Sequence, residues 1–317
     1  KRADKARAEI GSKLKGLGGA TLLFTKTIRE IQWSDGRSSG QYLREDTPLR
    51  GGGRETLIVS ADAGDQYFLV YERAIAWPDD DGVDSERRPI AVAVELNKSY
   101  KSGGRVHGPD ARKLWVFFPT DKETHVGWII QGPYRTTPAR DNVPADDEFN
   151  RHLVAETATL LRHSLNAMRP LGVVDADLLS RLPLDESKFE KGSFFRPLYE
   201  AVRTALKEDA LLPTAKGKHV PAVRAKLARG QKLTELLTSK QLGALFGEEE
   251  LEWLDAGITA DNYPMLYRYF VGAKQYAWGK DWLVKPLARG MEVRVEDFAE
   301  KLTAKFMDDQ SDAWVLS

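Results

Sequence analysis

Hydrophobic and polar positions change rhythm once along this chain. From Ile28 to Gln131 the signals are mostly those of strands. Ile28-Arg-Glu-Ile-Gln-Trp33 contains an alternating stretch, and Glu55 to Ser60 is a short apolar run. Gln66 to Trp77, Ile90 to Leu96, Leu114 to Phe118 and Val126 to Gln131 are rich in Val, Ile, Tyr, Phe and Trp, the residues that suit a pleated, half-buried surface. Turn clusters separate them at Ser34-Asp35-Gly36, Arg50 to Gly53, Asp79 to Gly82 and Ser102 to Gly104. Six or so strands with hairpin-length connections predict a largely antiparallel sheet.

At Pro144 the period becomes helical. Phe149, Leu153, Leu160, Leu161, Leu165 and Met168 fall on one face until Pro170 stops the pattern, and Asp146, Asp147 and Glu148 sit at the start, where the helix dipole favours negative charge. Beyond Asp175 the chain reads helix after helix, with Phe194–Leu206, Pro221–Ala228, Leu233–Leu245, Tyr263–Trp278 and Val295–Met307 as the segments, punctuated by Pro183, Pro213, Pro264 and Pro286. The expected class is α+β. Residues 1–25 form a linker or lead-in helix, 26–170 an α/β domain with a largely antiparallel sheet, and 171–317 a mainly helical domain. No internal repeat is apparent.

Composition narrows the functional classes. The 317 residues are 42% hydrophobic, enough for a sizeable core and against wholesale disorder, and no run approaches the roughly 20 apolar residues of a membrane span. Lys plus Arg and Asp plus Glu are 47 each, so contact with nucleic acid or membrane would need a local patch. The absence of cysteine removes disulfides, thiolate nucleophiles and cysteine-based zinc sites, and fits a reducing cytoplasm. The five histidines include no His-x3-His pair, which argues against a histidine metal site. Opening on Lys1 without methionine or signal peptide, the chain reads as a fragment of a longer protein.

Few side-chain patterns carry chemistry. Gly16 to Gly19 and Arg50 to Arg54 match no phosphate-binding glycine motif and read as turns. Glu95-Leu-Asn-Lys98 is one residue too long for the Glu-x-Lys of metal-dependent nucleases and lacks a partner acidic strand; it reads as structural. Asp79 to Asp81 lacks the alternating ligands of a calcium loop and reads as solvated. Between Asp209 and Glu235 there is no acid, whereas Lys216, Lys218, Arg224, Lys226, Arg229 and Lys232 are all present; the predicted helix would carry Arg224, Lys226 and Arg229 on a face suited to neutralising phosphates. No aromatic interleaves that run, so base stacking has no support, and a solvated charged face is the ordinary alternative. The strongest segment is the apolar pair of strands ending in Gly132-Pro-Tyr-Arg-Thr-Thr-Pro-Ala-Arg-Asp141, a loop that feeds directly into the long helix. A guanidinium there is suited to meeting a phosphate from a neighbouring domain. On sequence physics alone Arg135 and Arg140 are better read as pairing with Asp141, Asp146 or Asp147 to tie down the start of the helix.

Phe117-Phe-Pro-Thr120, Gly127 and the Gly132–Asp141 run resemble the middle region of sacsin-type ATPases, relatives of the ninety-kilodalton heat-shock chaperones in the GHKL superfamily. Leu22 to Phe24 with Ile28 to Trp33 is similar to the segment that leaves their nucleotide-binding domain, and Phe195–Tyr199, Leu211–Thr214 and Gln310–Trp314 are similar to downstream parts of the group. The Glu-x-x-x-Asn and Asp-x-Gly-x-Gly motifs of the Bergerat ATP site are absent from this sequence. The resemblance therefore implies that ATP and Mg belong to an upstream domain of the parent chain. This region would then be a middle domain with a ribosomal protein S-five second-domain-like lobe. It further implies that a loop arginine reaches the nucleotide phosphates, with Arg140 the matching position and Arg135 the reserve; the Thr-Thr-Pro-Ala-Arg-Asp-Asn context differs from the Leu-Pro-Leu-Asn-type stretch of the heat-shock chaperones. Trp253, Trp278, Trp282 and Trp314 would lie in a helical arm that moves or binds an unknown client, most of them as core residues. The expected protein is a cytoplasmic, bacterial, chaperone-like ATPase fragment, not catalytic by itself and with self-association left open. The alternative is a nucleic-acid-contacting scaffold of a DNA-processing or defence protein, acting through Lys216 to Lys232.

Overall fold

Strand alternation in the first half becomes an eight-stranded sheet in a computed structural model that describes residues 19–34, 36, 39–60, 64–76, 87–277 and 280–315, with Ala6 and Glu9. The glycines at 16 and 18, the turn at 79–82, Trp77 and Trp278 lie outside the described residues. The chain divides into two units, residues 1–173 with 192–198, and residues 174–191 with 199–317. The fold is α+β.

In the first unit the strands are β1 (Glu30–Ser34), β2 (Ser39–Pro48), β3 (Arg54–Ser60), β4 (Gln66–Ile75), β5 (Arg88–Leu96), β6 (Lys113–Val116), β7 (Phe118–Glu123) and β8 (Ile129–Gln131). Their order is β1-β2-β3-β4-β5-β8-β6-β7, antiparallel throughout except for β6 beside β8, where Trp115 faces Gln131. Two differences from the sequence expectation stand out. The alternating pattern missed β2, and the Leu114–Phe118 run is broken at Phe117, whose φ of 62° turns the backbone out of the sheet and separates β6 from β7.

Both sheet faces are covered. On one, Ile58, Phe68, Val70, Ala91, Ala93 and Ile129 pack against Leu22, Leu23 and Phe24, at and just after the end of a short 3-10 turn, Gly19–Leu22. This strap is pinned by polar contacts as well. Buried Arg44 donates from Nη1 to the Leu22 carbonyl at 2.6 Å and to that of Thr25, and Arg54 Nη2 donates to the Leu23 carbonyl at 2.9 Å. Asp46 balances both guanidinium groups at 3.2 Å. Against the other face lies α1 (Glu148–Met168), beside β4 and β5, with Phe149, Leu153, Leu160, Leu161, Leu165 and Met168 buried as the periodicity predicts. Asp147 caps it, accepting from the Asn150 amide at 2.9 Å.

The second unit mixes short helices with short strands rather than stacking helices alone. It holds α2 (Ala176–Ser180), most of α3 (Arg196–Glu208), the pair β9 (Leu212–Pro213) and β10 (His219–Val220), β11 (Ala225–Ala228), α4 (Gln231–Leu236) and α5 (Ser239–Phe246). There follow β12 (Glu252–Trp253), α6 (Pro264–Val271), the hairpin β13 (Ala273–Ala277) and β14 (Lys280–Val284), β15 (Glu292–Val293), α7 (Val295–Lys301), α8 (Ala304–Asp308) and α9 (Asp312–Val315). The helix expected over Pro221–Ala228 is instead a 3-10 turn followed by β11, held between β12 and β15 in parallel pairing. The Tyr263–Trp278 helix stops at Val271 because Gly272 takes φ 78° and starts the hairpin. Leu233–Leu245 and Val295–Met307 are each two helices, restarted by caps at Thr238 and Thr303. Leu233, Leu242, Leu251, Trp253, Val293 and Phe306 form the local core. No helix among the described residues is long and apolar enough to cross a membrane.

Candidate functional site

The loop after β8 is built outward from two buried anchors. Ile129, Ile130 and Gln131 are buried and deliver Gly132, whose N–H donates to the Trp115 carbonyl at 3.1 Å. A Cβ at Gly132 would sit 2.7 Å from the Tyr134 ring, so the glycine lets that ring fold back over the strand. The ring is buried against Phe194, and its hydroxyl lies 3.2 Å from Thr157 Oγ1 on α1. Burial pushes the phenol upward, partly offset by that hydrogen bond, and keeps it neutral.

The second anchor is Asn150, which is fully buried. Its Oδ1 accepts from the Arg135 N–H at 2.8 Å, while its Nδ2 donates to the Arg135 carbonyl at 3.0 Å and the Pro144 carbonyl at 3.1 Å. The backbone of Arg135 is thus fixed in both directions. Its side chain is 62% exposed and rests 5.1 Å over the Phe149 ring, with Nη1 3.2 Å from Asp147 Oδ2. Partial burial raises the Asp147 carboxyl, but hydrogen bonds from Asn150 and Arg135 outweigh it and hold the group below the usual carboxylate range.

Arg140 behaves differently. It has φ 60°, closes a turn with its N–H on the Thr137 carbonyl at 2.9 Å, and sends Nη2 back to the carbonyls of Val116 at 2.7 Å and Phe118 at 3.1 Å. The pairing with Asp141, Asp146 or Asp147 expected from the sequence is therefore met by Arg135, which takes Asp147, whereas Arg140 binds main-chain oxygens. Sequence reading missed Asn150 and Gln131, whose Oε1 accepts from the Phe117 N–H at 2.8 Å. Their one signal is a side-chain amide set directly beside buried apolar positions, where a polar group must find partners.

In the second unit the basic run does not form one helical face. Lys216 pairs with Glu252 at 3.2 Å and hydrogen-bonds Ser239; Arg224 pairs with Glu250. Lys226 is buried in β11, donating to the Gly290 carbonyl at 2.9 Å and lying 4.9 Å from the Phe246 ring centre. Lys218, Arg229 and Lys232 are exposed. A cavity of about 840 Å³ is lined by Lys218, His219, Arg224, Lys240, Glu248 and Glu252, among others. Ser239 on its wall donates to Glu252 at 2.5 Å, yet the set is no nucleophilic triad. Burial raises the Glu252 carboxyl, but the bonds from Ser239 and Lys216 outweigh that and lower it, leaving a poor base.

Elsewhere, Glu95 is tied to Arg112, in keeping with its structural reading. Trp253 is buried and donates to the Leu237 carbonyl at 2.9 Å, and Trp314 packs on Phe306 and donates to the Leu236 carbonyl at 2.7 Å. The side chain of Trp282 lies outside the described residues. Among the described residues no group of three or more His, Asp or Glu is placed to hold a metal ion. Compared with known protein families, curated proteins and solved structures, the chain matches none.

Proposed function

We propose that this chain is the middle region of a sacsin-like GHKL ATPase, supplying an arginine to the phosphates of ATP held with Mg by an upstream domain. The observation that carries the reading is Arg135: a rigidly fixed backbone with an exposed guanidinium, leaning on an aromatic ring and a partly buried carboxylate. Asp147 serves as a placeholder. When domains close, a phosphate oxygen replaces the carboxylate in the guanidinium fork, and the positive charge stabilises the charge spread over the transferring phosphoryl group. Making hydrolysis wait for closure couples nucleotide state to shape, and so to a client bound elsewhere. Arg140, the position that the family resemblance matches, is engaged by two carbonyls and acts in this reading as a positioning residue for the loop. The nucleic-acid scaffold is the weaker reading, because Lys216, Arg224 and Lys226 are already committed within their own unit.

The test is ATP turnover and nucleotide affinity of the full-length protein that carries this chain. R135A is expected to reduce turnover on the order of 10³-fold while ATP still binds, and R140A to act less strongly through the loop. Unchanged turnover in R135A, or a full-length protein without an ATP-binding domain, overturns the reading.

A further inference from the structure

A second concavity, of about 230 Å³, opens in the first unit between the end of the strap, β5 and the start of the arginine loop at Pro133. It is lined by Phe24 and Lys26 at the end of the strap, Arg87 and Arg88 at the start of β5, Phe117 at the kink between β6 and β7, and Gln131 at the end of β8. The side chains of Lys26, Arg87 and Arg88 are exposed, and among the described residues none of them has a hydrogen-bond or ion-pair partner. Glu72 also lines the wall, but Arg54 grips it at both oxygens, Nη1–Oε2 at 2.8 Å and Nη2–Oε1 at 3.0 Å, so its charge is answered. Three cations without a partner among the described residues therefore face one small hollow. Concave walls of one sign concentrate field and raise the local concentration of anions.

Phe117 is the second, independent observation. Its ring is 50% exposed although its backbone has φ 62°, a conformation costly for a bulky L-residue. The kink is held from three sides, by Gln131 Oε1 on its N–H and by Arg140 on the carbonyls of Val116 and Phe118. Strain so thoroughly braced, for the sake of an aromatic ring left at a pocket rim, is the pattern of a ligand contact rather than of core packing.

We propose that this pocket binds an aromatic phosphate monoester, its phosphate taken by Arg87, Arg88 and Lys26 and its ring laid against Phe117. Guanidinium forks match phosphate oxygens two at a time, and the lysine adds a point charge. The hollow is smaller than the pockets of about 300 Å³ or more that enclose drug-sized ligands, so it admits one phosphate and a flat group rather than a whole triphosphate. A nucleoside monophosphate and a phosphorylated tyrosine both carry this chemistry. The site is independent of the arginine reading above and is tested on this chain without ATP hydrolysis.

The experiment is titration at low ionic strength with phenyl phosphate, inorganic phosphate, AMP and free phosphotyrosine, read by calorimetry. Phenyl phosphate is expected to bind about tenfold tighter than inorganic phosphate, as stacking on one ring provides. R87A/R88A changes only exposed side chains, and is expected to keep the wild-type melting temperature while weakening every phosphate probe by at least about tenfold. F117A removes the preference for phenyl phosphate and leaves inorganic phosphate binding in place. Whichever of AMP and phosphotyrosine binds tighter identifies the source. No saturation by about 10 mM phenyl phosphate, a concentration far above a useful dissociation constant, overturns the proposal, as does equal binding by R87A/R88A.

Discussion

Arg140 grips the chain on either side of Phe117, with one guanidinium nitrogen donating to the carbonyls of Val116 and Phe118. Both residues have positive φ, 60° and 62°, so two strained positions brace each other across the loop and the strand kink. The arginine that the sequence offers for a phosphate thus spends its hydrogen bonds on shaping β6 and β7.

Replacing Phe117 by glycine removes the steric cost of its conformation while losing little packing from a half-exposed ring. F117G is expected to be more stable than wild type by about 1 kcal/mol in urea unfolding, the size of the left-handed penalty. R140A is expected to shift stability the other way, because two carbonyls lose their partner. If F117G is less stable, the kink is unstrained and the ring is packing.

Asn150 satisfies three main-chain groups from a fully buried position. N150A strands them and is expected to cost about 3 kcal/mol, an ordinary sum for buried polar groups left without partners. Hydrogen exchange supplies a second readout: the Arg135 amide should lose protection before the centre of the sheet does. Protection that stays equal to wild type would mean that the loop is held by Tyr134 alone.

Asp147 sets a pH dependence. Its folded-state carboxyl lies below the usual range, because hydrogen bonds from Asn150 and Arg135 outweigh the opposing effect of partial burial. A depressed carboxyl adds stability above its unfolded value of about 3.9 and loses it as pH falls through the folded value. Since Asn also caps helices, D147N isolates the charge. The wild type is expected to exceed D147N by about half a kcal/mol at neutral pH, with the gap closing in acid.

Lys226 also favours the folded state as pH rises, in a higher window. Burial lowers its ammonium and the nearby Lys301 lowers it further, against an upward pull from Glu248. Between the depressed folded value and an unfolded value of about 10.4, the unfolded chain holds the proton that the folded chain has released, so stability rises with pH. The difference between wild type and K226M is expected to move in favour of wild type on going from pH 7 towards about 10. A flat difference would mean that the Gly290 carbonyl and the Phe246 ring keep the ammonium fully charged.

The sequence disclosed α1 almost to the residue because six apolar side chains repeat at helical spacing and Pro170 follows them. It concealed β2 because Ser39–Pro48 buries only Tyr42 and Arg44, and a buried arginine reads as a surface residue until the carbonyls of the strap are seen beneath it. Ala225–Ala228 misled for the reverse reason. Ala, Lys and Leu favour helix locally, and only the distant strands β12 and β15 impose an extended chain. The importance of the Gly132–Asp141 loop was legible as two arginines between a sheet and a helix. Which arginine stays exposed was not, since that depends on whether Asn150 or two strand carbonyls claim its neighbourhood.

The sheet order also implies an order of assembly. From β1 to β5 each strand pairs with the next in sequence, so that half can form by successive hairpins. After that the chain departs, folds β6 against β7, and returns to slot β8 between β5 and β6. Gln131, Gly132 and the arginine loop come directly after this insertion and rely on it. A chain still emerging at residue 125 can own a complete meander and none of the site, which makes the loop the last piece to be set and a sensitive reporter of whether folding has finished.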